Sequence, residues 1–493
     1  MILDARGVAD GTEIDCEVCV VGAGAAGITL ARELRASSAR VVVLESGGFD
    51  HTSETQALAD GEVVGQNYAP LNATRVRVFG GSTFHWEGWC RPLEERDFAP
   101  RMWVPGSGWP LSWRELEPYY SRAQDICQLG PFDYRATRWA ATGAQPLPLG
   151  DGSLAPAVYQ FSPPTRFGVA YRQDLARASS VRVFLHANAT QIVRRLDGLA
   201  VERIDAATLS GRRFTIKPRY VVVAAGGIEN ARLLLAWNLG NDRDLVGRYF
   251  AEHPHASAAL VALPRSLGLS FYRLRDMENT LVRGAIATSA RLERERRILR
   301  LAATLDRVAD DPLAAYRSSA QRDAEEFGED VAAVAQSLSA RGDHELYALF
   351  ARWEQAPNPD SRVTLGSQRD PLGVPKPRLD WRLSELDRRT VSEALKALAL
   401  TLGGLGLGRV YTRPLDDEEF WPGVFFGHHH MGTTRMHDDP QRGVVDADCR
   451  IHGLDNVYVA GSSVFPTGGY ANPTLTIVAL SLRLAGHIRD RLG

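Results

Sequence analysis

Residues 16–34 read CEVCVVGAGAAGITLAREL, and a second apolar run, VVVLESGG, follows at 41–48. Strand, glycine turn, helix and strand within so few residues make a βαβ unit, which predicts a parallel sheet with a right-handed connection. The turn holds Gly22-Ala23-Gly24-Ala25-Ala26-Gly27, a G-x-G-x-x-G at the strand–helix junction. Gly22 permits the tight turn, Gly24 lets backbone approach a pyrophosphate, and Gly27 lets the helix pack close to the strand. The pyrophosphate would rest on the helix N-terminus around Ala26, where free N–H groups and the helix dipole favour an anion. Glu45 ends the second strand, at the spacing of an acid that hydrogen-bonds ribose hydroxyls and disfavours a 2′-phosphate. The motif alone does not separate NAD from FAD; its place near the start of the chain favours FAD.

Two later segments have the same character. RYVVVAAGG (219–227) is a buried-looking strand followed by the helix ENARLLLAW, and NVYVAGSSVFP (456–466) precedes a closing helix, 474–493. The expected fold class is therefore α/β: a discontinuous Rossmann-type nucleotide-binding domain from residues 1–95, 176–255 and 415–493. Residues 96–175, rich in Trp, Pro and Tyr, and 256–414 are assigned to a second, substrate-binding α+β domain on an antiparallel sheet. The latter span carries the alternating runs LVRGAIATSA and ILRLAATL and an amphipathic helix, DAEEFGEDVAAVAQSLSARG (323–342).

A chain of 493 residues is long enough for two such domains. Its 57 basic and 59 acidic side chains balance, which argues against a nucleic-acid partner. Five cysteines, an odd number, argue against a disulfide framework. Cys16 and Cys19 form a CxxC, but along a strand rather than opening a helix, so they read as buried thiols. The opening MILDARGVADGTEID has no apolar core and no twin arginine. The stretch ALKALALTLGGLGLG contains Lys396 and four glycines and falls short of a membrane span. The expectation is a cytoplasmic protein with no membrane partner.

The run FFGHHHMGTTRM (425–436) contains three consecutive histidines. His428 and His430, with Asp438 and Asp439 nearby, could form a ligand set, but no HExxH or paired-cysteine spacing supports one, and no metal is expected. If the run is extended, His428 and His430 share a face and His429 looks the other way.

The C-terminal block HHMGTTRMH…GVVDADCRIHGLDNVYVAGSSVFPTGGYANPTLTIVALSLRLAGHI resembles the glucose–methanol–choline (GMC) oxidoreductases. It carries H-x-x-G-T, G-V-V-D, the N-x-Y-V-A strand and N-P-x-x-T in order. The resemblance extends over about residues 15–95, 155–255 and 355–493 and leans toward pyranose-oxidase-like bacterial members. It implies an FAD-dependent enzyme that oxidises a small alcohol or sugar and hands the electrons to O2 or another acceptor. In GGSTFHWEGWC (80–90) it places Gly81 and Ser82 at the flavin. His85-Trp86 stands where pyranose oxidases join a histidine to the flavin, although Thr83-Phe84 replaces their Ser-Thr. A covalent link through His85 and simple packing of His85 near the flavin both stay open. Ala225 and Gly226 would lie near the adenosine, and Gly461 and Ser462 near the pyrophosphate and ribityl chain. EQAPNPDSRVTL (354–365) is family-like without an assignable role.

Alcohol oxidation by a flavin sends a hydride from the carbinol carbon to N5, and the hydroxyl proton must leave as well. A positioned base accelerates this typically by roughly 10²–10⁴-fold, and histidine suits the task. The resemblance makes His429, three residues before Gly432-Thr433, that base. Asn472, opening the final helix with Pro473 and Thr474, would fix the alcohol oxygen, an orientation effect. Asn472 could instead be only the helix N-cap, with Pro473 at the first helical position. A flavin-containing lyase of the same fold and a nicotinamide-dependent dehydrogenase are the alternative activities.

Overall fold

A computed structural model of the protein describes residues 1–150, 152–307, 344–412 and 423–493. The expected helix at 323–342 lies outside the described residues. Strand Thr12–Val21 runs into Gly22, and helix Ala25–Leu34 carries the chain back to strand Val41–Leu44. The two strands pair in parallel, with Val18 opposite Val41 and Val21 opposite Leu44. Val41–Leu44 is buried along its whole length, as expected for a parallel strand covered on both faces.

On its other side Thr12–Val21 pairs in parallel with Arg213–Val223, whose last three residues pair in parallel with Val457–Val459. Val21, Val223 and Val459 therefore stand abreast. The three glycine-ended segments, separated by more than 200 residues in sequence, deliver their turns to one edge of one sheet. Ligands of open α/β sheets bind in the crevice beyond such carboxyl ends. Val181–Leu185 and Ile2–Asp4 extend the sheet on one flank, and Val201–Ala207 and Asn188–Arg194 extend it on the other.

A second sheet has the order Arg409–Tyr411, Pro254–Pro264, His344–Trp353, Leu301–Arg307, Thr280–Thr288, Leu154–Phe161 and Trp89–Cys90. Its pairings are antiparallel. Two details depart from the boundaries drawn on the sequence. Trp89–Cys90 and Phe425–Phe426 pair into this antiparallel sheet, although both fall in spans assigned to nucleotide binding. Helix Trp113–Ile126, assigned to the substrate domain, packs on the closing helix Thr474–Leu492 beside Ala25–Leu34. The reason is its apolar stripe: Leu116, Tyr120 and Ala123 are buried, and the Tyr120 hydroxyl lies 2.8 Å from Thr476 Oγ1.

Buried ion pairs tie the connecting segments to the antiparallel sheet. Arg101 binds Glu354 through two bonds of 2.6 and 2.7 Å, and Arg300 holds Glu94 at 2.7 Å and also Asp97. All five cysteines are free and buried; burial pushes the Cys16 thiol up to about 12. Among the described residues no helix is long and apolar enough to cross a membrane.

Candidate active site

Each glycine of the first turn meets a different requirement. Gly22 has φ +105°, and a Cβ there would lie 2.6 Å from the Ala224 carbonyl oxygen on the neighbouring strand. A Cβ on Gly27 would lie 1.9 Å from the Gly22 oxygen, so helix and strand touch at that point. A Cβ on Gly24 would meet nothing within 4 Å: Gly24 is the bare N-cap of the helix and borders open space. Gly226 and Gly461, both at positive φ, also face space, with nothing nearer than 4.0 Å.

That space is a cavity of about 340 Å³ along the sheet edge. Val21–Ala26, Glu45, Gly81, Ser82, His85, Trp86, Ala225, Gly226, Gly461, Ser462 and Asn472–Thr474 all line it. Gly27 does not, because it faces the sheet. Glu45 is buried and accepts the Ala23 and Gly47 N–H groups, each at 2.8 Å, one on either oxygen. It thus clamps the glycine turn, and each oxygen keeps a lone pair for a ribose hydroxyl. Burial raises its pKa to about 6 against those two hydrogen bonds. An uncapped helix end, three bare turns and an acid beneath them fit a dinucleotide diphosphate.

The loop that carries His85 is braced from behind. Arg166 donates to the carbonyls of Thr83 and Trp86 at 3.0 and 2.7 Å, and the Trp86 indole donates to the Thr165 carbonyl at 2.9 Å. The Ser82 hydroxyl accepts the Val76 N–H at 3.4 Å. Ser462 donates to the His430 carbonyl at 2.6 Å, and Asn230 ties Ala225 to Ala460 and Ser463.

The three histidines do not alternate as a strand would. His428 has φ +58°, a left-handed residue that breaks the parity argument, and the rings take three directions. His428 stacks on Phe426, with ring centroids 5.4 Å apart. His430 points at Glu252, 3.7 Å from Nε2 to Oε1. His429 Nδ1 lies 2.9 Å from His253 Nδ1, and its Nε2 lies 3.3 Å from the amide nitrogen of Asn472. Burial, then His253, His255 and Arg352, hold its pKa well below the usual imidazole range, so the ring is neutral near pH 7.

Asn472 does not cap the final helix. Pro473 holds the N-cap place, with φ −74° and ψ −20°, and the Asn472 side chain turns into the site. Its Oδ1 accepts from Arg352 at 2.9 Å, and its nitrogen faces His429. Arg352 in turn lies over the Trp89 ring, 4.3 Å from its centroid. Among the described residues no group of three or more His, Cys, Asp or Glu, the set considered for His428, His430, Asp438 and Asp439 included, is arranged so that it could hold a metal ion.

Sequence reasoning missed three residues of this site: Glu252, His253 and Arg352. Glu252 is fully buried, and its Oε2 accepts the backbone N–H of both His429 (2.8 Å) and His253 (3.2 Å). Tyr68 donates its hydroxyl to the other oxygen, and burial raises the carboxyl to about 7. Gln355, within the unassigned EQAPNPDSRVTL, accepts the Glu252 N–H at 2.9 Å. The available signal was EHPH at 252–255, a dense titratable run entering the apolar stretch ASAALVAL.

Residues 17–305 match the family described as FAD dependent oxidoreductase, and residues 357–481 match GMC oxidoreductase. The chain belongs to the FAD-dependent oxidoreductases, in the GMC group. This oxidoreductase is 22% identical to the fructose dehydrogenase large subunit of Gluconobacter japonicus, over 97% of its own length and 98% of the relative's. It is 27% identical to 6'''-hydroxyparomomycin C oxidase of Streptomyces lividus, over 97% and 92% of the two chains. Its fold matches pyridoxine 4-oxidase from Mesorbium loti with a TM-score of 0.60, at 18% identity over 96% and 99% of the chains.

Proposed function

We propose that this FAD-dependent oxidoreductase oxidises a secondary or primary alcohol of a sugar, polyol or glycoside to the carbonyl, with His429 as base and Asn472 as the group that orients the oxygen. The observation that carries the reading is the pairing of a neutral imidazole with an amide N–H 3.3 Å away on the cavity wall. An alcohol oxygen seated between them can donate its proton to Nε2 while accepting the amide N–H, which aims the carbinol C–H into the cavity. FAD held on the three glycine turns supplies a hydride acceptor. Two relatives named above are a fructose dehydrogenase subunit and a 6'''-hydroxyparomomycin C oxidase, which supports a polyhydroxylated substrate. We assign cofactor binding to Gly22, Gly24, Ala26, Glu45, Gly81, Ser82, Trp86, Ala225, Gly226, Gly461, Ser462, Pro473 and Thr474, with Gly27 shaping the turn through helix–strand packing.

His429→Ala tests the base. The variant should keep its flavin and bleach it at least 10²-fold more slowly under anaerobic sugar or polyol; bleaching at the wild-type rate rejects the reading. Denaturing the yellow protein decides the place of His85. Colour left on the chain means a covalent link, and colour in the supernatant means that His85 only lines the cavity.

A further inference from the structure

A neutral imidazole has two tautomers, and only the one with a bare Nε2 can take the alcohol proton. The neighbours of His253 settle which one is present. His253 Nε2 lies 2.9 Å from the carbonyl oxygen of Gly469. A carbonyl only accepts, so that nitrogen carries a proton. Burial lowers the His253 pKa to about 4, so the ring is neutral and its Nδ1 is a lone pair. The partner of that lone pair is His429 Nδ1 at 2.9 Å, which must therefore be the protonated nitrogen of His429. At the far end Arg352 fixes the oxygen of Asn472 and leaves its N–H for Nε2. One directional row results, from Arg352 through Asn472, His429 and His253 to the Gly469 carbonyl.

We propose that His253 is a positioning residue that locks His429 in its Nδ1–H tautomer and so leaves Nε2 as the base. Glu252 supports it by accepting the backbone N–H of both histidines on a single oxygen. His253 lies 176 positions from His429 in sequence, on the entry to strand Pro254–Pro264. The inference rests on His429 being the base.

Two substitutions separate the two nitrogens of His253. His253→Asn can place an amide oxygen near the Nδ1 position and keep an acceptor for His429. His253→Gln reaches the Nε2 position and keeps the donor to Gly469, but offers nothing at Nδ1. Flavin content, substrate Kd and the anaerobic flavin-reduction rate are measured for wild type, both variants and His429→Ala. The expected result is bound flavin and unchanged Kd in both variants. His253→Gln should reduce flavin roughly 10–10²-fold more slowly, the direction expected when a catalytic imidazole loses the partner that fixes its tautomer. His253→Asn should recover most of that loss. Equal rates in the two variants, whether both fast or both slow, overturn the assignment. If His429→Ala itself reduces flavin at the wild-type rate, the base reading has failed instead, and the two failures are distinguishable.

Discussion

Arg352 donates to Oδ1 of Asn472 at 2.9 Å, so the face of that amide turned to His429 is its nitrogen. Asn472→Asp preserves the Arg352 bond and replaces the N–H donor by a carboxylate oxygen. A carboxylate beside His429 favours the imidazolium, raising its pKa. The base form then exists only above that raised value, so the acid limb of flavin reduction should lie at higher pH in the variant than in the wild type. An acid limb that stays in place, read by anaerobic stopped flow, would contradict the geometry.

The wild-type profile should differ. His429 is held well below 6.5 by burial first, then by His253, His255, Arg352 and His428. A depressed pKa means that the neutral, competent ring persists as pH falls through 6.5 and is lost only in distinctly acid solution. The limiting rate of flavin reduction is expected to be flat from pH 8 to 6. An acid limb centred at 6.5 in that rate would place the base elsewhere.

Gly24 and Gly27 belong to one motif but should fail in different ways. Gly27→Ala forces a Cβ against the Gly22 carbonyl, an overpacking that should cost about 3 kcal/mol of stability. Gly24→Ala faces open space and should change the stability of the apoprotein by less than about 1 kcal/mol. Its methyl would instead occupy the path of the diphosphate, so bound flavin should be lost. Denaturant unfolding of the apoproteins and flavin absorbance of the purified proteins separate the two effects.

Arg232 is 2% exposed and holds Glu229 at 2.7 Å and Asp370 at 2.6 Å, with Arg77 on Glu229 at 2.8 Å. The arginines hold the buried Glu229 carboxyl down to about 2, against the effect of burial. Arg232→Met leaves Glu229 with Arg77 but takes the guanidinium from the buried Asp370 carboxylate, which should cost about 3–5 kcal/mol. A stability within 1 kcal/mol of wild type, read by urea unfolding, would contradict the network.

The nucleotide half of the molecule was legible because its signals are local. Gly22, Gly24 and Gly27 lie within six residues, Glu45 is a strand away, and each answers a steric or polar demand of its own turn. Gly432, which anchors the choice of His429, has φ +82° and a site for Cβ only 2.2 Å from the Tyr249 carbonyl, so no other residue fits there. What stayed hidden depends on chain segments that meet only in three dimensions. Arg352 reaches Asn472 across 120 positions, and no periodicity announces such a contact. Strand parity reached for His429 by a premise the backbone does not obey, since His428 is left-handed. The place of helix Trp113–Ile126 escaped for the same reason: its stripe shows that a face is buried, not what covers it.

The row from Arg352 to the Gly469 carbonyl passes three times between the antiparallel sheet and the C-terminal segment. It is therefore a seam as well as a tautomer lock. The halves of the protein cannot swing apart to admit a substrate without unstitching the groups that would act on it.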